Sequence, residues 1–356
     1  MKSILYIINS LDENNNLGYR HTNITRVLSS YFKIDLLDFA FTKKRARFFR
    51  IVINRLFIFP DIYQLEQYKM KKRIRAKLIN KRYDLVIIGV VPFSFLSLAS
   101  FIKRVKPELE VLVDMTDPLT QNVTYIRYWK IYKRFLRWYE KRHFQNINRL
   151  IVLNEAIKLY YENLYPSLQK VIVLEQGTES QKHNDKKPVK NLDKVPELIY
   201  AGMFYHKLRE PFKLYTSIEK FDTPVRLSIF GSFKKKFIPP NTERFYFGGL
   251  LDKSSLQNKI NKFDILVFID NFYGLQIPGK VLENLATNKP ILFIYANENS
   301  PTLRYIQEYE GIFYARNNEA EIKMALENIL KTKNNYFNRD LTKYYWENLV
   351  KESYYS

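Results

Sequence analysis

With 356 residues the chain is long enough for two domains at ~100 to 200 residues each, and 46% apolar residues give each a core to bury. Lys and Arg number 58 against 36 Asp and Glu, a formal charge of +22 that points to an anionic partner. Cysteine is absent, which excludes disulfides, thiolate metal sites and Cys nucleophiles, and four histidines leave little for a multi-His metal centre.

The opening MKSILYIINSLDENNN has one Lys and an apolar run that ends in acidic and amide side chains, with no small-residue cleavage site, so a signal peptide is not expected. Ser3 to Ile8 reads as a strand. The loop behind it, Asn9 to Leu17, contains no glycine, so the G-x-G-x-x-G dinucleotide fingerprint is missing. A nicotinamide enzyme or an epimerase on one Rossmann domain is therefore disfavoured. Gly18, Tyr19 and Arg20 open a helix over Gly18 to Tyr31, where free N–H groups and a guanidinium suit an anion, although any helix start bearing an Arg looks the same.

Further strands are expected at Lys33 to Leu37, Leu85 to Val90, Glu110 to Asp114, Arg149 to Leu153 and Lys170 to Leu174, with a helix over Thr124 to Asn146. Leu85 to Ile102 carries no charge and is just long enough for a membrane span. Its β-branched start, Pro92 and the Lys-Arg end after Phe93 favour a strand, a turn and a short helix instead.

The charge is unevenly spread. Residues 41–82 hold fourteen Lys/Arg and two acids, +12, and residues 125–149 hold eight and one, +7. Between Arg47 and Phe59 the cations alternate with a near-continuous apolar run, the composition of a segment lying in an anionic membrane surface. The second stretch, with Trp129, Phe135 and Trp138, fits an interface or a solvated basic helix equally well. Nucleic acid is the other polyanion, but no zinc knuckle, RNP-type strand or helix-turn-helix spacing is present. In VLVDMTDP a strand ends on Asp114 and Asp117, and Asp117 is the candidate for contact with an acceptor hydroxyl, against the alternative of a helix cap.

Glu179 to Pro196 is polar, charged and proline-bounded, a linker. After it the strand–helix alternation restarts, with strands at Glu197 to Ala201, Val225 to Phe230, Arg244 to Phe247, Ile265 to Ile269, Pro290 to Tyr295 and Gly311 to Tyr314. Helices are expected at Pro211 to Lys220, Ser254 to Lys262, Gly279 to Thr287 and Asn318 to Lys331. The pattern predicts two doubly wound α/β domains, 1–178 and 197–335, joined by 179–196, with 336–356 packing back across the junction. In LIYAGMFYHKLREP, Gly202 follows a strand, and Lys207 and Arg209 precede a helix, a placement that suits a diphosphate. In FYGLQIPGKVLENLATNKP, Gly274 and Pro278-Gly279 allow tight turns, and Lys280 and Glu283 share a helix face where the carboxylate can take two ribose hydroxyls.

The order G-x-x-x-x-x-x-R-x-P, then P-x-K-x-x-E-x-L-A-x-x-K-P-I, resembles the C-terminal half of bacterial family 4-like glycosyltransferases with the GT-B fold, two Rossmann-like domains facing each other across a cleft. YDLVII, VLVDMTDP and EKRHFQNINRLIVLNEA are similar to that family's N-terminal half. The resemblance implies a nucleotide-sugar donor with Glu283 on its ribose, and Arg209, with Lys207 beside it, on its diphosphate. Gly248, Gly249 and Leu250 would lie near the base, with Gly202, Gln276, Pro278 and Lys280 also lining the donor site. The Gly18 loop would approach from the other domain, where the residue reading adds Arg20 as a donor contact and Asp117, together with Arg209, as a residue serving the reaction. The resemblance further implies retention, no metal or other cofactor and a glycan or lipid-linked acceptor; together with the basic segments 41–82 and 125–149, the expectation is a cytoplasmic enzyme peripheral to the inner face of the plasma membrane. The sequence departs from the family pattern at Leu275, where many members carry Glu, and lacks the paired glycines of the first loop and the His of the middle region. A non-catalytic nucleotide-sugar or glycan-binding relative, and a basic nucleic-acid-binding protein, are the competing readings.

Overall fold

The computed structural model describes residues 1–11, 16–39, 59–121, 130–168, 170–179, 194–239, 242–332 and 336–355. It divides into two compact units, Met1–Gly177 with Tyr344–Ser356, and Thr178–Lys343.

In the first unit β1 (Ser3–Ile8), β2 (Lys33–Asp38), β3 (Leu85–Gly89), β4 (Glu110–Asp114), β5 (Arg149–Val152) and β6 (Val171–Val173) form one parallel sheet, ordered β2-β1-β3-β4-β5-β6. The central strands are apolar along their whole length because helices cover both faces of such a sheet. Those helices are α1 (Asn16–Ser29), α2 (Gln67–Asn80), α3 (Leu96–Val105), α4 (Lys130–Phe144) and α5 (Glu155–Leu164). The uncharged stretch from Leu85 is β3, a turn and α3, and no described helix is long and apolar enough to cross a membrane. The apolar–basic run over 41–58, and the start of the helix expected from Thr124, lie outside the described residues.

In the second unit β7 (Glu197–Ala201), β8 (Arg226–Phe230), β9 (Phe245–Gly249), β10 (Ile265–Ile269), β11 (Ile291–Tyr295) and β12 (Ile312–Arg316) form a parallel sheet ordered β12-β11-β10-β7-β8-β9. The connecting helices are α6 (Phe212–Glu219), α7 (Lys253–Ile260), α8 (Val281–Leu285), α9 (Pro301–Ile306) and α10 (Glu319–Lys331). The chain winds outward from β7 to β9, then returns to the other side of β7 with β10. That reversal opens a crevice at the carboxyl ends of β7 and β10, the place where doubly wound sheets take ligands.

Residues 336–343 stay with the second unit. There buried Arg339 donates to four backbone carbonyls, Leu285 (3.0 Å), Lys289 (2.9 Å), Glu310 (2.9 Å) and Gly311 (3.2 Å). From Tyr344 the chain belongs to the first unit, where α11 (Trp346–Tyr355) buries Trp346, Val350 and Tyr354 in the core that includes Ile24 and Leu28 of α1. The Trp346 ring lies so close to Gly177 that a Cβ there would sit 2.4 Å from it, so only glycine fits.

Candidate functional site

At the carboxyl edge of the second sheet, glycines draw the strand ends together. Gly202 N–H donates to the Phe230 carbonyl (3.1 Å) and Gly231 N–H to the Gly249 carbonyl (2.8 Å). Gly231 has φ +151, and a Cβ on it would lie 2.0 Å from the Gly202 carbonyl oxygen. Gly248 is needed for a different reason, because a Cβ there would meet the Phe230 ring at 2.1 Å. Past β9, Leu250 is exposed.

The loop from β7 to α6 folds into a tight hairpin in which Tyr205 and Arg209 exchange backbone bonds of 2.9 Å in each direction. Lys207 at its tip has φ 64, and Glu210 holds that turn, accepting from the Lys207 N–H (2.8 Å) and pairing with His206 Nδ1 (2.6 Å). The hairpin leaves Lys207 in solvent and turns Arg209 back toward the sheet, where Nη2 donates to Asn271 Oδ1 at 2.6 Å. Asn271 lies just past β10, so this bond spans the switch point. The same amide donates through Nδ2 to the Gln276 carbonyl (3.1 Å), tying the Gly274–Pro278 loop to the guanidinium. Arg209 Nε is buried with no protein partner.

Behind them sits Asp270, buried, with Ser300 donating to Oδ2. Burial pushes its carboxyl up, against hydrogen bonds from Ser300 and Thr302 and the Arg209 charge. The loop from Gly274 leads into α8, with Lys280 just before its first residue and Glu283 exposed in its first turn. Burial is the main cause that lowers the Lys280 ammonium, the Glu283 charge opposes it, and the Arg209 charge adds to it. Arg209, Lys280 and Glu283 are thus electrostatic neighbours at one sheet edge. Arg209 and Lys280, with Asp270 and Glu283 beside them, are the fixed cations available at this edge for a diphosphate.

The remaining sequence-derived residues are distributed differently. Arg20 corrects the expectation that it meets a ligand. It is fully buried, donating through Nε to Asp114 Oδ2 (3.1 Å), through Nη2 to Asp114 Oδ1 (3.2 Å) and the Leu174 carbonyl (3.0 Å), and through Nη1 to the Glu175 carbonyl (3.0 Å). Its guanidinium, 5.9 Å from the Trp346 ring, is a structural tie across β4 and the end of β6. Gly18 is buried within α1, and Asp117 is half-buried past β4 in the first unit.

Sequence reasoning missed four residues. Asp270 and Asn271 carried a signal, an all-apolar strand ILVFI stopping abruptly on Asp-Asn. Gly231 carried only the bare glycine after an apolar strand. His21 sits at the switch point of the first sheet, Nδ1 2.8 Å from the Tyr6 hydroxyl and packed so closely on Gly89 that a Cβ there would lie 2.6 Å from the ring. Burial pushes its imidazole down to about 4, so it is neutral at pH 7. Among the described residues, no three His, Cys, Asp or Glu side chains gather as metal ligands would.

No protein-family model and no curated protein sequence matches the chain. Solved structures do. A sucrose-phosphate synthase from Thermosynechococcus elongatus superposes at TM-score 0.65 and 12% identity, covering 99% of this chain and 93% of that one. A lipopolysaccharide outer core galactosyltransferase matches at TM-score 0.64 and 12% identity, over 98% of this chain and 97% of that one. A UDP-GlcNAc 2-epimerase from Methanocaldococcus jannaschii matches at TM-score 0.54 and 14% identity, over the whole of both chains. The fold is therefore GT-B, with two Rossmann-like units.

Proposed function

We propose that the protein is a nucleotide-sugar glycosyltransferase, family 4-like, which holds its donor at the carboxyl edge of the second sheet. The observation that carries this reading is the grouping of Arg209, Lys280 and Glu283 around the β7/β10 switch point, with Arg209 oriented by Asn271. The donor diphosphate lies against Arg209 and Lys280 with Lys207 at its margin, the ribose hydroxyls bond Glu283, and the base lies by Gly202, Gly248, Gly249 and Leu250. Gln276 and Pro278 shape the loop under the sugar.

As the bond from the sugar to the diphosphate breaks, negative charge grows on the departing phosphate. Fixed cations stabilise that charge more than they stabilise the bound donor, so they lower the barrier without a metal. Arg209 suits the task because its guanidinium stays charged even when partly buried and is already aimed by a hydrogen bond. The sugar passes with retention to a glycan or lipid-linked acceptor served by Asp117 in the first unit. That unit's basic segments, 41–82 and 125–149, meet an anionic membrane on its cytoplasmic side.

A donor-turnover assay with UDP-, GDP-, CMP- and TDP-sugars tests the reading. Slow release of free sugar from one donor, lost in Arg209→Ala, supports a transferase. Epimerisation of the sugar, or binding of a donor with no turnover, rejects it in favour of an epimerase or a non-catalytic binder.

A further inference from the structure

In the first unit the loop leaving β4, residues 115–121, carries Asp117 and is tied near both ends to a polar cluster formed by α4 and α5. Glu140 of α4 is fully buried at the centre of that cluster. Its Oε1 accepts from the Tyr161 hydroxyl (3.0 Å), and its Oε2 from Tyr165 (2.8 Å) and Thr120 Oγ1 (3.4 Å). Thr120 Oγ1 also lies 2.6 Å from the Tyr160 hydroxyl, and Tyr161 reaches Met115 Sδ at 3.7 Å. Between the two tied residues, Met115 and Thr120, lie Asp117 and Thr116, whose buried Oγ1 meets no hydrogen-bond partner among the described residues.

Counting hydrogens in the cluster fixes the form of the carboxyl. The Tyr165 hydroxyl has one hydrogen but two oxygens in reach, Glu140 Oε2 and the Arg137 carbonyl (3.2 Å), and the Thr120 hydroxyl is shared in the same way between Oε2 and Tyr160. A neutral carboxyl supplies the hydrogen these contacts lack, whereas a carboxylate would be a buried charge facing only hydroxyls. Burial accordingly pushes Glu140 up to about 7, against the hydrogen bonds from Tyr165, Tyr161 and Thr120. The charged groups of the surrounding elements are engaged elsewhere or stand at the surface. On α4, Arg137 is exposed and His143 Nδ1 pairs with Ser100 Oγ (2.7 Å); on α5, Glu155 pairs with Lys158 (3.5 Å) and Glu162 is exposed; at the end of β4, Asp114 pairs with Arg20.

We infer that Glu140 is a positioning residue for the transfer reaction: as a neutral acid it latches the loop that carries Thr116 and Asp117 to α4 and α5, through Thr120. Loss of its proton leaves a buried carboxylate that is relieved by admitting water, and the contact that yields is the longest one, to Thr120 on the loop, rather than those to the packed helices. The inference rests on the proposed role of Asp117 at the acceptor and adds to it a pH-dependent control of the same loop.

Donor turnover measured against pH tests it, with nucleotide-sugar binding read separately by calorimetry, on the unmodified protein, Glu140→Gln and Thr120→Val. The proposed donor contacts lie in the second unit, so all three should bind the nucleotide sugar equally. In the unmodified protein sugar release should slow about tenfold per unit as pH rises beyond about 7. Glu140→Gln, which has no proton to lose, should match the unmodified rate at pH 6 and show no such fall. Thr120→Val keeps the shape of the side chain and should slow release about fivefold at pH 6, the equivalent of one neutral hydrogen bond. A Glu140→Gln rate that falls with pH as the unmodified rate does, a Thr120→Val protein as fast as the unmodified one, or a Glu140→Gln protein altered only in stability each overturns the proposal. Hydrogen exchange in residues 115–121 reads the latch without substrate. Beyond the intrinsic change, protection should fall by up to about tenfold per pH unit between about 4.5 and 7 in the unmodified protein, where the open loop has released the Glu140 proton that the closed one keeps, and not in Glu140→Gln. If the nucleotide sugar binds and exchange ignores Glu140, the latch alone is overturned; if exchange follows Glu140 and no nucleotide sugar binds, the donor reading fails and takes the catalytic role of the latch with it.

Discussion

Arg20 and Asp114 form an ion pair sealed inside the first unit, Nε 3.1 Å from Oδ2, with Nη2 and Nη1 also donating to the carbonyls of Leu174 and Glu175. Removing one partner strands a buried charge. Arg20→Ala should therefore destabilise the first unit by roughly 3 to 5 kcal/mol, while Arg20→Met combined with Asp114→Leu should cost far less. Denaturant unfolding checks both. Full stability of Arg20→Ala together with loss of nucleotide binding would return Arg20 to the role its sequence position suggested.

Gly231 should tolerate no side chain. Its positive φ and the 2.0 Å approach to the Gly202 carbonyl oxygen mean that Gly231→Ala must move the β7 or β8 end. A loss of about 3 kcal/mol or more and weakened nucleotide binding are expected. Gly249→Ala is the comparison: φ is +72, but nothing lies within 4 Å of the added Cβ, so only the backbone cost of ~1 to 2 kcal/mol applies. Thermal unfolding should rank the two in that order.

The GT-B architecture was legible because parallel strands buried on both faces leave short apolar runs, as in β1, β3, β10 and β11, alternating with helical stretches. The second sheet's candidate ligand edge was legible in part. Arg209, Lys280 and Glu283 stood at strand-to-helix turns and do meet electrostatically, whereas the motif's later residues prove architectural. Lys289 is buried, giving its ammonium to the carbonyls of Ile260 (3.0 Å), Asn261 (2.8 Å) and Phe263, and Asn288 sits at φ 57 on Tyr336 and Arg339. Arg20 misled because a helix-start Arg looks alike whether it points to solvent or to a carboxylate 94 residues away. Asn271 escaped because its role depends on β7 and β10 becoming neighbours, which sequence order hides.

Two kinds of buried group in the first unit should titrate with opposite signs. Burial raises Glu140 to about 7, despite hydrogen bonds from Tyr165, Tyr161 and Thr120, so the folded state holds its proton longer than the unfolded chain does. Its contribution is fully favourable below about 4.5 and declines, by on the order of 3 kcal/mol, as pH rises to about 7. Glu140→Gln should flatten that decline in a stability-versus-pH series. His21 and His143, each lowered from 6.5 to about 4, act the other way, and their contribution is lost as pH falls through that window. Their variants His21→Gln and His143→Gln should reduce the acid sensitivity, even where they lower stability at neutral pH.

Asn271 should act by positioning. Asn271→Ala frees the Arg209 guanidinium and the Gln276 carbonyl at once, and nucleotide binding should weaken roughly tenfold, the loss of about one hydrogen bond to a charged group. Asn271→Asp should bind Arg209 more tightly yet weaken the nucleotide as much, because an added carboxylate repels the diphosphate. Calorimetric titration with the preferred nucleotide diphosphate separates these outcomes.

The donor site is tested most directly by thermal unfolding against a panel of UDP-, GDP-, CMP- and TDP-sugars, since a ligand that binds only the folded chain raises its melting temperature by mass action. One nucleotide class should raise it in the unmodified protein and fail to do so in Arg209→Ala and Glu283→Ala, both of which should remain folded. A donor that stabilises the Arg209→Ala protein as strongly as the unmodified one would contradict the account.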